Sequence, residues 1–320
     1  MDSTNITLSD IKTAQERISG HIHYTPINSS VKLSEQFGVD LHFKCENFQK
    51  TGSFKVRGVL NKLQELTKEE HQNGLVSISA GNHAQAMAWA AAKSGIGCTI
   101  VMPETASKTK IKATQDYGAD VLLPGDVNAA FAKMLEIESE EGKTLIHPFE
   151  DPMIIAGHGT VGLEVLEQLN NIDAVVIGVG GGALSSGIAI AVKEQNPNIK
   201  IYGVEPEGAN AMQQSLKAGK PVRLEKVGSI ADGLAPPMAG EVPLGILQKY
   251  MDDLVTVSED EIRRAMYYLL TRTKLLVEPA GAAATAAIIT QKLPVKGKRV
   301  VSILSGGNVD LDELGKLILN

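Results

Sequence analysis

Short β-branched runs bounded by glycine or proline alternate with helical stretches along nearly the whole chain, and no other feature limits the fold so tightly. LHFKCE, GLVSISA, CTIVMP, DVLLPG, TLIHP, AVVIGVG, KIYGVEP and KRVVSILSGG read as strands. VRGVLNKLQEL, HAQAMAWAAAKSG, KTKIKATQDYG and AMQQSLKAG, lying among them, read as helices. Strands joined through helices pair in parallel, because the helix carries the chain back to the starting end of the sheet. The alternation therefore predicts an α/β fold, a mostly parallel sheet with helices on both faces. A length of 320 residues suits one large or two ordinary domains, and no repeat, low-complexity tract or linker marks a boundary. Glu136, Glu138, Glu140 and Glu141 in FAKMLEIESEEG read as the wet face of a helix.

Charge and composition remove several classes of function. The net charge is -6 and no basic face is visible, so nucleic acid is not an expected partner; Lys108, Lys110 and Lys112 read as one wet side of a helix. Small anionic metabolites stay compatible, since a local site can be positive on an acidic protein. The N-terminal MDSTNITLSD lacks a basic-then-apolar signal, so a cytoplasmic protein with no membrane partner is expected. Cys45 and Cys98 fall in strand-like runs without the spacing of a metal site or a disulfide, and read as core thiols in a reducing compartment.

In α/β sheets ligands bind beyond the carboxyl ends of the strands, so chemistry is sought in the strand-to-helix turns. In VVIGVGGGALSSG an apolar strand meets Gly178, Gly180, Gly181 and Gly182 before a helix begins near Ala183. Bare backbone amides backed by a helix N-terminus make an anion cradle. The same loop also resembles a dinucleotide fingerprint, with Glu205 ending the next strand as a ribose ligand, so a nicotinamide-dependent oxidoreductase stands as a rival. SISAGNHAQ places Ser79, Ala80, Gly81, Asn82 and His83 where a strand enters an alanine-rich helix, which suits a carboxylate or a plain cap. ILSGGNVD opens a third strand onto a glycine pair. KTGSFKVRG sets Lys55 between Phe54 and Val56 with a glycine on either side. Such a lysine either snorkels to water or loses its charge by burial and attacks an aldehyde. One Schiff-base lysine, one phosphate cradle and one carboxylate turn together suit pyridoxal phosphate and an amino acid.

Taken in order, KTGSFKVRG, SAGNHAQ, the glycine loop, VEPAG and SGGNVD resemble the fold-type II pyridoxal phosphate enzymes, tryptophan synthase β-like, and within them the serine/threonine dehydratase and serine racemase family. The resemblance runs from about residue 24 to residue 310. It implies two parallel-sheet α/β domains, the smaller inserted in the larger: residues 1–65 and 152–320 form the large cofactor-binding domain and residues 66–151 the small domain that closes over substrate. It implies that Lys55 holds the cofactor as a Schiff base and later acts as base, with Phe54 against the ring. Gly180, Gly181, Gly182, Ala183 and Leu184 would hold the phosphate, Asn82 the 3'-oxygen, and Ser79, Ala80, Gly81, Asn82 and His83 the substrate carboxylate. Ser305 would face the pyridine nitrogen and Glu278 would line the same site. The implied activity is dehydration and deamination of L-threonine or L-serine to a 2-oxo acid and ammonia, with a serine racemase, or a lyase for another β-hydroxy amino acid such as 3-hydroxyaspartate, as alternatives.

Departures from the family pattern sharpen these expectations. Racemisation in the family needs a serine immediately before Gly81, and Ala80 stands there, which favours the dehydratase. Ala183 replaces a fourth glycine, and His158 stands where glutamine is usual and is left without a role. Glu205 and the carbonyl of Ala209 match a cation site, but Ala211 replaces its acid, so only a weak divalent or monovalent cation is expected. The segment 231–240 is expected near the specificity pocket. Neither a regulatory domain after SGGNVD nor feedback by isoleucine is expected, and the family implies a homodimer or homotetramer.

Overall fold

The computed structural model describes residues 6–319 and holds two sheets. The strands are β1 (Ile27–Ser29), β2 (Asp40–Cys45), β3 (Leu75–Ile78), β4 (Cys98–Val101), β5 (Asp120–Leu122), β6 (Thr144–Leu145), β7 (Ala174–Gly178), β8 (Lys200–Pro206), β9 (Asp253–Val257) and β10 (Arg299–Leu304). Each run read as a strand in the sequence appears. The six-stranded sheet has the order β1-β2-β10-β7-β8-β9, and the four-stranded sheet the order β5-β4-β3-β6. All pairings are parallel except β1 with β2. No helix among the described residues is long and apolar enough to cross a membrane.

The larger sheet is buried on both faces, and successive residues serve opposite sides as strand geometry requires. Ala174 and Val176 of β7 join Leu41 and Phe43 of β2 in one apolar cluster, whereas Val175 and Ile177 join Val301 and Ile303 in another. The first face is covered by the helix Pro279–Ile289, every residue of which is buried. The second is covered by Pro152–Gln168 and Ala183–Lys193. The former is buried from Met153 to Val165, as its AGHGTVG centre allows. A side chain at Gly157 would come within 2.5 Å of the Arg57 carbonyl, and one at Gly187 within 2.4 Å of the Ile155 carbonyl. Glycine thus brings three helix backbones into direct contact: Lys55–Leu63, Pro152–Gln168 and Ala183–Lys193.

One polar knot lies inside this packing. The Arg57 guanidinium meets Glu46 at 2.7 Å and Glu164 at 2.6 Å, and Lys44 meets Glu164 as well, with all four side chains almost wholly buried. Two cations balance two carboxylates, and Thr25 donates to Glu46, so the charges are compensated where water is excluded. The knot ties β2 to the helix that begins at Lys55.

Candidate active site

The carboxyl ends of β3, β7 and β10 open onto one cavity of about 320 Å³. Lys55, Phe54, the Ser79–His83 turn, Gly180–Leu184, Glu278 and Ser305 all line it, so the turns selected in the sequence converge in space.

Lys55 is positioned by a strained turn. Thr51 has φ 57° and Gly52 φ 73°, both in the left-handed region, and Asn308 fills the place of a Gly52 side chain. Ser53 then bridges Gly306, and the Phe54 amide donates to the Ser305 carbonyl at 3.1 Å, which fixes the start of the Lys55–Leu63 helix against the SGG loop. The Lys55 Nζ donates to the Pro148 carbonyl at 3.1 Å and has no carboxylate partner among the described residues. The cavity leaves its surface only half-buried, but protein surrounds the amine closely. That burial lowers its pKa to about 8, so the amine is more readily neutral near physiological pH than an ordinary lysine, though still mostly protonated.

Opposite the amine lies the glycine loop. Gly182, at φ 99°, caps the helix Ala183–Lys193, whose first amides have no carbonyl partner within the helix. A side chain at Gly181 would meet the Phe149 ring at 2.3 Å, and one at Gly182 would meet Pro243 at 2.6 Å. Side chains are excluded at Gly181 and Gly182, and bare amides at the start of a helix are suited to an anion.

A chain of carboxamides links the remaining turns. Asn308 donates through Nδ2 to the Thr51 carbonyl at 2.8 Å and to Asn82 Oδ1 at 2.8 Å. A carbonyl can only accept, so Asn308 is fixed, and Asn82 must turn its own Nδ2 to Glu278 Oε1, at 2.6 Å. Burial, and secondarily the nearby Asp232, push the Glu278 carboxyl up to about 8. Ser305 is buried at the cavity wall and carries no charge. Ala80 lines the opening with a methyl.

Two histidines stay neutral. His83 is buried, donates from Nε2 to the Ile146 carbonyl at 3.2 Å, and has its pKa pushed down to about 3 by burial and then by Lys55. It serves as a wall of the cavity rather than as an open donor. His158 is fully buried with its ring edge-on to that of Phe54, centroids 4.6 Å apart, and neither ring nitrogen has a partner among the described residues. Burial drives its pKa well below the usual value.

Some readings of the sequence are changed. Lys110 is not on a wet helix side: it is half-buried, lines the cavity and pairs with Asp232. Lys108 and Lys112 do stay exposed. Glu205 and Ala209 lie outside the cavity, and both carboxylate oxygens of Glu205 accept helix amides, from Met212 and Gln213 at 2.8 Å each. No cluster of His, Cys, Asp or Glu suited to a metal occurs among the described residues. Phe149 and Pro148 were missed; they leave β6 with no motif of their own. Of the segment 231–240, residues 232–236 do line the cavity.

A family described as pyridoxal-phosphate dependent enzyme matches residues 18–306. The L-threonine ammonia-lyase of Thermotoga maritima is 44% identical over 98% of this chain and 78% of its own length. The catabolic L-threonine dehydratase of Escherichia coli is 42% identical over 98% of this chain and 96% of its own. Among solved structures, the serine racemase of Dictyostelium discoideum superposes with a TM-score of 0.89 at 41% identity, covering 96% of this chain and 99% of that one.

Proposed function

Because the chain belongs to the family of pyridoxal-phosphate dependent enzymes, we propose that it is an ammonia-lyase that converts L-threonine, L-serine or both to a 2-oxo acid and ammonia. The observation that carries the proposal is the pairing, in one cavity, of a buried lysine without a carboxylate partner and a side-chain-free amide cradle.

The residues fit the cofactor. The Lys55 amine suits its aldehyde, the amides of Gly180, Gly181, Gly182, Ala183 and Leu184 its phosphate, and Phe54, Asn82, Glu278 and Ser305 surround the space for its ring. Pyridoxal phosphate, when bound, supplies an electron sink for the pair left on the substrate Cα as its proton departs. Ser305 would offer the cofactor ring a neutral hydroxyl, which unlike a carboxylate would not hold a proton on a ring nitrogen, and this would favour loss of a β-hydroxyl over transamination. The turn Ser79–His83 receives the substrate carboxylate. The Lys55 amine, its pKa lowered to about 8 by burial, would in its neutral form serve as base for the substrate Cα proton. The elimination expels one water, and hydrolysis of the released enamine consumes one, leaving the 2-oxo acid and ammonia.

The four-stranded sheet, built wholly from residues between Leu75 and Leu145, supports a small domain of residues 66–151 that closes over substrate, set in a large one of residues 1–65 and 152–320. Ala80, with no group to move a proton, argues against racemisation. A cytoplasmic homodimer or homotetramer completes the proposal, and light scattering tests the assembly.

The deciding experiment is 2-oxo acid release by the pyridoxal phosphate-loaded protein from L-serine, L-threonine, threo-3-hydroxyaspartate and phenylserine. Release from serine or threonine is expected. Release from neither, with interconversion of serine enantiomers instead, would overturn it.

A further inference from the structure

The pair Lys110 and Asp232 takes no step in the chemistry above, although Asp232, second to burial, raises the pKa of Glu278, and both residues line the cavity. Lys110 belongs to the helix Lys108–Asp116, which follows β4 of the smaller sheet, whereas Asp232 opens a short turn beside Glu278, a side chain at Gly233 reaching within 4.0 Å of Glu278 Oε1. Ser107 accepts from the Lys110 amide at 3.5 Å and donates to Asp310 Oδ2 at 2.9 Å, which pins the first turn of the helix to the segment after β10. Of the pair, Asp232 is the more exposed, its side chain 58% exposed against 22% for Lys110. The member of the pair that faces solvent more is thus the carboxylate.

We propose that Asp232 masks Lys110 and that the pair acts as a charge filter, excluding amino acids that carry a second carboxylate. The proposal rests on reading the cavity as that of a β-hydroxy amino-acid lyase and names its substrate class: uncharged side chains. The α-carboxylate common to all substrates is met by the Ser79–His83 turn. A distal carboxylate meets Asp232, a like charge, and finds the ammonium already compensated. Serine and threonine bring no second charge and pass unaffected by sign. Without the charge on Asp232, Lys110 becomes an unpaired cation in the cavity and attracts the acid that the pair repels.

The test compares the loaded wild type, Asp232→Asn and Asp232→Asn/Lys110→Met. Expected is a rise of at least tenfold in the ratio of kcat/KM for threo-3-hydroxyaspartate to that for L-serine in Asp232→Asn, lost again in the double variant. Calorimetry with succinate, a four-carbon dicarboxylate, against propionate reads the filter without turnover, and succinate is expected to bind the single variant at least tenfold more tightly than the wild type. If neither the ratio nor succinate affinity moves, the pair is only a latch and the filter is refuted. A wild type that prefers threo-3-hydroxyaspartate refutes it too. A wild type that turns over no β-hydroxy amino acid refutes the lyase reading instead, while succinate binding still decides the filter.

Discussion

At the scale of single residues the chemistry depends on charge that burial removes. Lys55 has its pKa lowered to about 8 by burial, so below that value the amine is mostly protonated and cannot attack an aldehyde. The rate at which the cofactor-free protein takes up pyridoxal phosphate should therefore rise with pH through a midpoint near 8 and level off above it, as followed by absorbance. A flat profile between pH 6.5 and 9.5 contradicts a buried amine. Ala80→Ser places a hydroxyl at the cavity opening, and chiral chromatography should then detect D-serine formed from L-serine, at a cost to 2-oxo acid release. Lys55 was legible in the sequence because its immediate neighbours, Phe54 and Val56, are apolar. Lys110 was not, because its neighbours Thr109 and Ile111 say nothing of Asp232, which reaches it only through the tertiary fold.

Elements convert those residues into a site. Gly181 is required by its neighbour rather than by its own backbone, since an added methyl would overlap the Phe149 ring. Gly181→Ala should lower stability in urea by about 1–3 kcal/mol, the usual cost of overpacking, and weaken cofactor retention on dialysis. Phe149→Ala in the same chain should restore part of both, and no recovery would mean the glycine serves the cradle by some other route. The strands read from the sequence were those with apolar, β-branched runs. β1 escaped because Ile27–Ser29 is three residues beside a proline, held antiparallel to β2 by partners distant in sequence. β9 escaped because Asp253–Val257 mixes acid and threonine among its apolar residues, and only the paired edge of β8 makes it a strand. The Glu205 carboxylate caps the helix Ala211–Ala218, a role that a helix start six residues onward could have suggested.

The whole molecule depends on contacts between distant stretches of chain. Arg57 joins Glu46 and Glu164 in the interior, and Arg57→Met leaves both carboxylates buried without their principal partner. A loss of about 3–5 kcal/mol in chemical denaturation is expected, large enough to show as reduced soluble yield. A loss below 1 kcal/mol would mean that water reaches the knot. The α/β class was legible from the alternation of strands and helices, but the order of strands was not, since β2 and β7 show no sign in the sequence that β10 lies between them. That insertion imposes a timetable on synthesis. Leu75–Leu145 holds every strand of the smaller sheet, which can assemble while the rest is still being made. The larger sheet must wait with β2 and β7 unpaired along their facing edges until β10, the last strand of the described chain, emerges to close the gap; until then its two halves are open edges, and a ribosome stalled before Arg299 would carry one finished sheet and one that invites the wrong partner.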